Sequence, residues 1–197
     1  SQDPIPVFRR LHEQYTSGWI RSPQYGGGTS NIEFEVMTGH SMHFLPPGSM
    51  AFQKYLGNPI MSLPSILKHQ GYENVGIHSY DGWFWNRTEA YKNMGFDKFV
   101  SIEYFTDLRY EGWYISDDVV TDMIIDELEN NDNPLFIYAV TMQNHGPYDN
   151  NRYTENTIKV DGPLSDESKL ILETFSQGLL DADRSLEKLI DYLEESD

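Results

Sequence analysis

Six consecutive apolar residues, Leu135-Phe136-Ile137-Tyr138-Ala139-Val140, lie between Pro134 and Thr141. A run this short, closed by proline on one side and polar residues on the other, reads as a strand buried on both faces rather than as a helix. Strands of that kind belong to parallel sheets whose faces are covered by helices. The rest of the chain supplies such helices. Ser62–Gln70 places Leu63, Ile66 and Leu67 at helical spacing and stops at Gly71. Ser116 precedes a helical stretch through Glu129, with Asp117 and Asp118 where the helix dipole favours acids. Pro4–Thr16, Thr88–Met94 and Glu167–Glu194 also carry helical patterns, the last with a bend expected near Gly178. Gly18–Ser22, Glu73–Tyr80 and Lys98–Ser101 read as further strands. His40–Pro59 and Asn150–Asp166 read as loops. The expected fold class is α/β, a three-layer α/β/α sandwich on a mostly parallel sheet.

Ligands in such folds bind beyond the carboxyl ends of strands. Three loops follow expected strands there: the glycine-rich stretch, Trp85–Arg87 and Asn144–Tyr148. In the first, Gly26-Gly27-Gly28 permits left-handed backbone and close approach of a ligand, and Thr29 and Ser30 follow as N-cap candidates for the next segment. That next segment reads two ways. Ile32, Phe34 and Val36 alternate as in a strand, while Ile32 and Val36 are one helical turn apart. Thr29 likewise reads as a simple helix cap, or as a hydroxyl nucleophile at a helix start, where negative charge is stabilised.

Composition narrows the partners. The 197 residues hold 31 acidic and 14 basic side chains, a net charge of -17, which repels nucleic acid. The 39% hydrophobic content suits one domain with a sizeable core. Cysteine is absent, which excludes disulfides, thiolate metal sites and a cysteine-derived formylglycine. No window approaches the roughly 20 apolar residues that span a bilayer.

Four stretches in fixed order carry a family likeness: Gly26–Phe34, Phe84–Arg87, Asn93–Phe99 and Thr141–Tyr148. Together they resemble the lipoteichoic acid synthase family, phosphoglycerol transferases of the alkaline phosphatase and sulfatase superfamily. The resemblance implies a helix after Thr29 ending at Gly39. It implies that Thr29 is both nucleophile and ligand of a divalent ion, typically manganese, carrying glycerophosphate covalently between phosphatidylglycerol and an acceptor. It further implies that Arg87 grips phosphate, Trp85 packs on glycerol, and His145 binds phosphate or protonates the leaving alkoxide. Read alone, Trp85 serves equally as core, Arg87 as a carboxylate partner and His145 as a turn residue. His40 and His43 read as a metal pair or as solvated loop histidines. Asp81 and Asp149 look like turn residues, and Trp83 and Trp113 like packing.

One departure matters. The family's metal site adds a Glu upstream of the nucleophile and an Asp-His pair downstream. No Asp-His dipeptide occurs here, and only 28 residues precede Thr29, with Asp3 and Glu13 the acids among them. The expectation is therefore an incomplete catalytic domain spanning 1–197, truncated at both ends between Ser1 and Asp197, with the other ligands outside it and no turnover alone. The full protein would be a bacterial membrane protein with its catalytic domain outside the cell, building a glycerophosphate polymer or decorating a glycolipid. The competing readings are a sulfatase, phosphodiesterase or phosphoethanolamine transferase of the same superfamily, and a non-catalytic domain that binds polyanionic wall polymer.

Overall fold

The computed structural model describes residues 2–149 and 152–196; Ser1, Asn150, Asn151 and Asp197 lie outside the described residues. In chain order the elements are α1 (Pro6–Gln14), α2 (Thr29–Thr38), α3 (Ala51–Lys54), α4 (Leu63–His69), β1 (Glu73–His78), α5 (Arg87–Met94), β2 (Lys98–Ser101), β3 (Tyr110–Glu111), β4 (Tyr114–Ile115), α6 (Asp117–Glu129), β5 (Leu135–Val140) and α7 (Asp166–Ser196). They fall into two compact units. One holds the residues up to Gly18, Thr106–Glu127 and the chain from Thr141 onward; the other holds Trp19–Phe105 and Leu128–Val140.

The sheet unit carries β2, β1 and β5 in that spatial order, all parallel, with Val75 opposite both Lys98 and Ile137. The α/β class on a parallel sheet is therefore observed, and the sheet is incomplete. Helices α2, α3 and α5 enclose a core of Phe34, Met37, Phe52, Leu56, Tyr91 and Met94. Gly76, in the middle of β1, makes room for this core: a Cβ there would stand 2.6 Å from the Tyr91 ring. Ser62 starts α4 with a reciprocal cap, its hydroxyl accepting from Ser65 N–H while the Ser65 hydroxyl meets the Ser62 backbone.

Two strand expectations change. β1, not β5, is the central strand, with five of its six residues buried. All six residues of β5 are only half-buried, because β5 pairs with β1 alone among the described residues. The expected strand at Gly18–Ser22 is not formed: it has no pairing partner, and Trp19 and Ile20 are exposed. The expected loop His40–Pro59 contains α3 and a short 3-10 turn over Met42–Phe44.

In the other unit, a buried carboxylate ties α1 to α7. Pro6 opens α1 without an N–H to satisfy, and Asp183 accepts the next two, from Val7 at 2.9 Å and Phe8 at 2.8 Å. The hairpin of β3 and β4 has no forewarning in the sequence pattern, since each strand is two residues long. α7 runs unbroken through Gly178, so the expected bend is absent. That glycine instead admits the Asn144 side chain and the Tyr153 hydroxyl against the helix.

Candidate functional site

The glycine loop delivers Thr29 to the start of α2. Gly26, Gly27 and Gly28 all have positive φ (70°, 143° and 77°), which a side-chain-bearing residue adopts only under strain. Gly28 occupies the N-cap in left-handed conformation without a side-chain cap, so Thr29 is the first helical residue and not the cap. Its side chain is exposed, at the end of α2 where unpaired N–H groups point. The following residues anchor that end. Asn31 is buried and clamps the start of α3, donating to the Ser49 carbonyl and accepting from Ala51 N–H, both at 2.9 Å. A cleft of about 640 Å³ lined by Gln24, Asn31, Glu35, His43 and Ser49 opens beside the loop.

Glu33 follows Thr29 by four residues, which puts the two on one face of α2, about 6 Å apart. Glu33 is 1% exposed, and Arg87 beside it 2%. The Arg87 Nη2 donates to Glu33 Oε1 at 2.5 Å, and the Tyr91 hydroxyl donates to Oε2 at 2.8 Å. Burial, followed by the Glu33 charge, raises the Tyr91 phenol well above its ordinary value, so it stays a donor. The Trp85 ring lies over the guanidinium, 5.3 Å from its carbon. Trp85 and Asn86 both take left-handed backbone (φ 54° and 62°), which for tryptophan is a strained state. Asn86 Nδ2 helps hold the turn by donating to the Phe52 carbonyl at 3.2 Å.

At the end of β1, buried His78 donates from Nδ1 to the Val140 carbonyl at 2.8 Å. Burial, then the nearby Arg87 charge, pushes its pKa down to about 4. A neutral ring follows, and its Nε2 has no partner among the described residues.

Thr29 opens α2, and Arg87 is buried as a carboxylate partner of Glu33 on that same helix, with the Trp85 ring over it. His145 belongs to the other unit and is described with it. It is exposed at the surface, its Nδ1 2.7 Å from the Gly146 carbonyl, its ring 6.0 Å from Tyr114. Arg152 organises this loop: it donates to the His145 carbonyl at 2.5 Å and to Asn144 Oδ1 at 3.3 Å, with its guanidinium over the Tyr148 and Tyr153 rings. Beneath it, Gln143 accepts from Asp117 N–H at 2.8 Å and donates to Asp181 at 2.8 Å. Burial raises Asp117 to about 6, aided by the Asp181 charge and opposed by hydrogen bonds from Thr141 and Gln143.

Sequence reasoning missed Glu33, Tyr91, His78, Asp117 and Arg152. Two of them had a usable signal. Glu33 and Tyr91 stand four residues after Thr29 and Arg87, each one helical turn from a candidate.

A metal site is a different matter. Among the described residues no group of three or more His, Cys, Asp or Glu side chains is placed to hold a metal ion, His40 and His43 included. A lone Thr29 hydroxyl does not fit the donor set of a divalent ion, which needs several oxygen or nitrogen ligands. No helix among the described residues is long and apolar enough to cross a membrane.

Comparison with known proteins agrees with this architecture. The sulfatase family model matches residues 1–197. A Rhizobium meliloti (strain 1021) protein named for cyclic beta-1,2-glucan modification is 45% identical over 195 residues, covering 99% of this chain and 30% of its own length. Lipoteichoic acid synthase 2 of Bacillus subtilis (strain 168) is 29% identical over 170 residues, 85% of this chain and 25% of its own. The chain therefore spans roughly a quarter to a third of these two relatives. Among solved structures, the lipoteichoic acid synthase LtaP from Listeria monocytogenes superposes with a TM-score of 0.80 at 25% identity, over 98% of this chain and 47% of that one. The Streptococcus pyogenes phosphoglycerol transferase GacH gives 0.84 at 24% identity, over 98% and 52%, a likeness of fold. The resemblance read from the four motifs is borne out.

Proposed function

The chain belongs to the sulfatase family, and from that premise we propose that residues 1–197 form part of the catalytic domain of a phosphoglycerol transferase. The observation that carries this reading is the spacing on α2. Thr29 sits exposed at the helix start, one turn from the carboxylate that holds Arg87. Nucleophile and cation are thereby tied to one rigid element, which is the positioning that phosphoryl transfer requires.

In the proposed reaction the Thr29 Oγ1 attacks the phosphorus of phosphatidylglycerol. The Oγ1–P bond forms, the P–O bond to diacylglycerol breaks, and the Thr29 proton leaves with the diacylglycerol oxygen. The N-terminal N–H groups of α2 stabilise negative charge on Oγ1 and the phosphoryl group. Arg87 contributes positive charge beside the phosphate, and Trp85 packs on the glycerol. His145 is assigned to the phosphate or the departing alkoxide from its motif alone; its Nδ1 lies 2.7 Å from the Gly146 carbonyl. An acceptor hydroxyl then displaces Thr29, restoring the free threonine.

Superfamily members are metal-dependent. A divalent ion, manganese in our proposal, would stabilise charge on phosphate when bound, and the ligands beyond Thr29 would come from outside the described residues. The acceptor we propose is a sugar hydroxyl of a glucan, in line with 45% identity to the Rhizobium meliloti protein named for modifying one. The GacH structure holds sn-glycerol-1-phosphate, which supports a glycerophosphate as the transferred group. In the full protein the domain would face the outside of the cell membrane, where phosphatidylglycerol and periplasmic or wall glucans meet.

The test is release of labelled glycerophosphate from a phosphatidylglycerol analogue by the full-length protein with manganese present, using cyclic glucan or glycerophosphate polymer as acceptor. Transfer to glucan that vanishes in Thr29→Ala supports the proposal. Transfer that survives Thr29→Ala refutes the nucleophile, and transfer to polymer alone refutes the acceptor.

A further inference from the structure

The cleft of about 640 Å³ beside the glycine loop belongs wholly to the sheet unit, and the proposed reaction leaves it unused. Asn31 and Glu35, one turn apart on α2, line it from the helix face opposite the one that carries Glu33. Gln24 ties the cleft to the proposed nucleophile. Its side chain lines the cleft and leans on Gly28, where a Cβ would stand 2.8 Å from Gln24 Oε1. Gly28 immediately precedes Thr29. A ligand held by Gln24 thus lies against the loop that delivers Thr29.

Three lining side chains have hydrogen-bonding capacity to spare. Glu35 uses only Oε1, which accepts from Met42 N–H at 2.6 Å and from the Ser41 hydroxyl at 3.1 Å. Its Oε2 has no hydrogen bond among the described residues. Gln24 and His43 are held by their backbones, through Ser22 and Ser41. The Gln24 amide and the His43 ring nitrogens are left unbonded among the described residues.

Charge separates two classes of ligand. Among the described residues lining the cleft, Arg21 and Glu35 are the only Arg, Lys, Asp or Glu, one of each sign. A polyanion entering a protein of net charge -17 needs a cluster of cations, and the cleft has none. Neutral hydroxyls need only donors and acceptors, which the amide, imidazole and carboxylate supply beside the apolar surface of Pro46 and Pro47.

We propose that this cleft is the acceptor subsite, holding a neutral glucan by its hydroxyls through Gln24, Glu35 and His43. The assignment rests on the reading above in which a sugar hydroxyl takes up the glycerophosphoryl group. In that step the sugar O–P bond forms, the Thr29 Oγ1–P bond breaks, and the hydroxyl proton passes to Thr29 Oγ1. The cleft contributes binding, which holds the acceptor beside Thr29.

The experiment uses the full-length protein, cyclic glucan as probe, and the variants Gln24→Ala/His43→Ala and Glu35→Gln. Calorimetry gives Kd for the glucan, transfer assays give its KM as acceptor, and thermal melting reports folding. The double variant removes two groups that no hydrogen bond among the described residues uses, so its melting point is expected to stay put. Its Kd and KM for glucan are expected to rise about 10-fold, the loss of two neutral hydrogen-bonding groups. Glu35→Gln keeps an oxygen for Met42 N–H and tests the subsite by itself, with an expected loss of about 3-fold. Kd is expected to be independent of sodium chloride, as for a neutral ligand. Glucan binding and transfer at parent levels in both variants would overturn the subsite while leaving the sugar acceptor intact. Glycerophosphate polymer that displaces glucan would overturn the preference for a neutral ligand. A parent protein that neither binds glucan nor transfers to it would overturn the subsite together with the reading on which it rests.

Discussion

A Cβ on Gly178 would stand 2.1 Å from the Asn144 Oδ1, so the helix that carries Gly178 and the loop that carries His145 meet with no room for a methyl group. Asn144 cannot easily yield. Its side chain is held on both sides, by Arg152 at Oδ1 and by the Phe175 carbonyl at Nδ2, each at 3.3 Å.

Gly178→Ala sets two effects against each other. Alanine favours helix over glycine by about 1 kcal/mol. The forced displacement of a packed group costs about 1–3 kcal/mol. The second wins, and it falls on the His145 loop. We expect a net loss of up to about 2 kcal/mol in urea unfolding, with phosphoglycerol transfer reduced more than stability. A variant as stable and as active as the parent would contradict the close approach.

The pH dependence of stability should contain two opposed contributions. His78 has its folded pKa lowered to about 4, against about 6.5 unfolded. The unfolded chain binds the proton more readily, so this contribution is intact above pH 6.5 and is lost as pH falls towards 4, about 3 kcal/mol in all. Asp117 is raised to about 6 from 3.8. Here the folded state holds the proton more tightly, so ionisation carries a penalty that grows from pH 3.8 and is complete above 6. His78→Asn, which keeps a donor for Val140, should gain on the parent at pH 4.5 relative to 7.5. Asp117→Asn should gain at pH 7.5 relative to 4.5. Urea midpoints at the two pH values decide, and parallel shifts at both would contradict the assignment.

What was legible in the chain was local. The Ser62 cap, the acid-led start of α6 and the apolar β1 and β2 all announce themselves within a few residues. What was hidden depends on partners. The apolar run of β5 looks fit for the centre of a sheet, yet only pairing reveals that β1 holds that place among the described strands. Glu33 stands one helical turn after Thr29, yet as one of 31 acids its burial depends on a distant arginine and tyrosine that the local sequence does not show. Gly178 reads as a helix weakness because a sequence cannot show that another side chain fills the space. Of the site, Thr29, Trp85 and Arg87 were named from their motifs, and the structure pairs Arg87, under the Trp85 ring, with the helix that Thr29 opens. The left-handed turn at Trp85 and the pairing of Glu33 with Arg87 lie inside those motifs, but only the three-dimensional contacts reveal them.

Asp183 offers a simpler test of the fold. It is buried and satisfies two N–H groups at the start of α1. Asp183→Ala should destabilise the chain by about 1–3 kcal/mol, through the lost cap and the donors left unmet. Amide exchange at Val7 and Phe8 should rise first. Unchanged protection there would show that α1 is held by its apolar contacts instead.

The central claim is that Thr29 becomes covalently bonded to phosphorus. The most direct measurement is peptide mass spectrometry of the full-length protein, quenched during turnover of phosphatidylglycerol with acceptor withheld. The account predicts a glycerophosphoryl group on the glycine-loop peptide, assigned to Thr29 and absent from Thr29→Ala. Glycerophosphate transfer with Thr29 unmodified, or with the group on another residue, would contradict it.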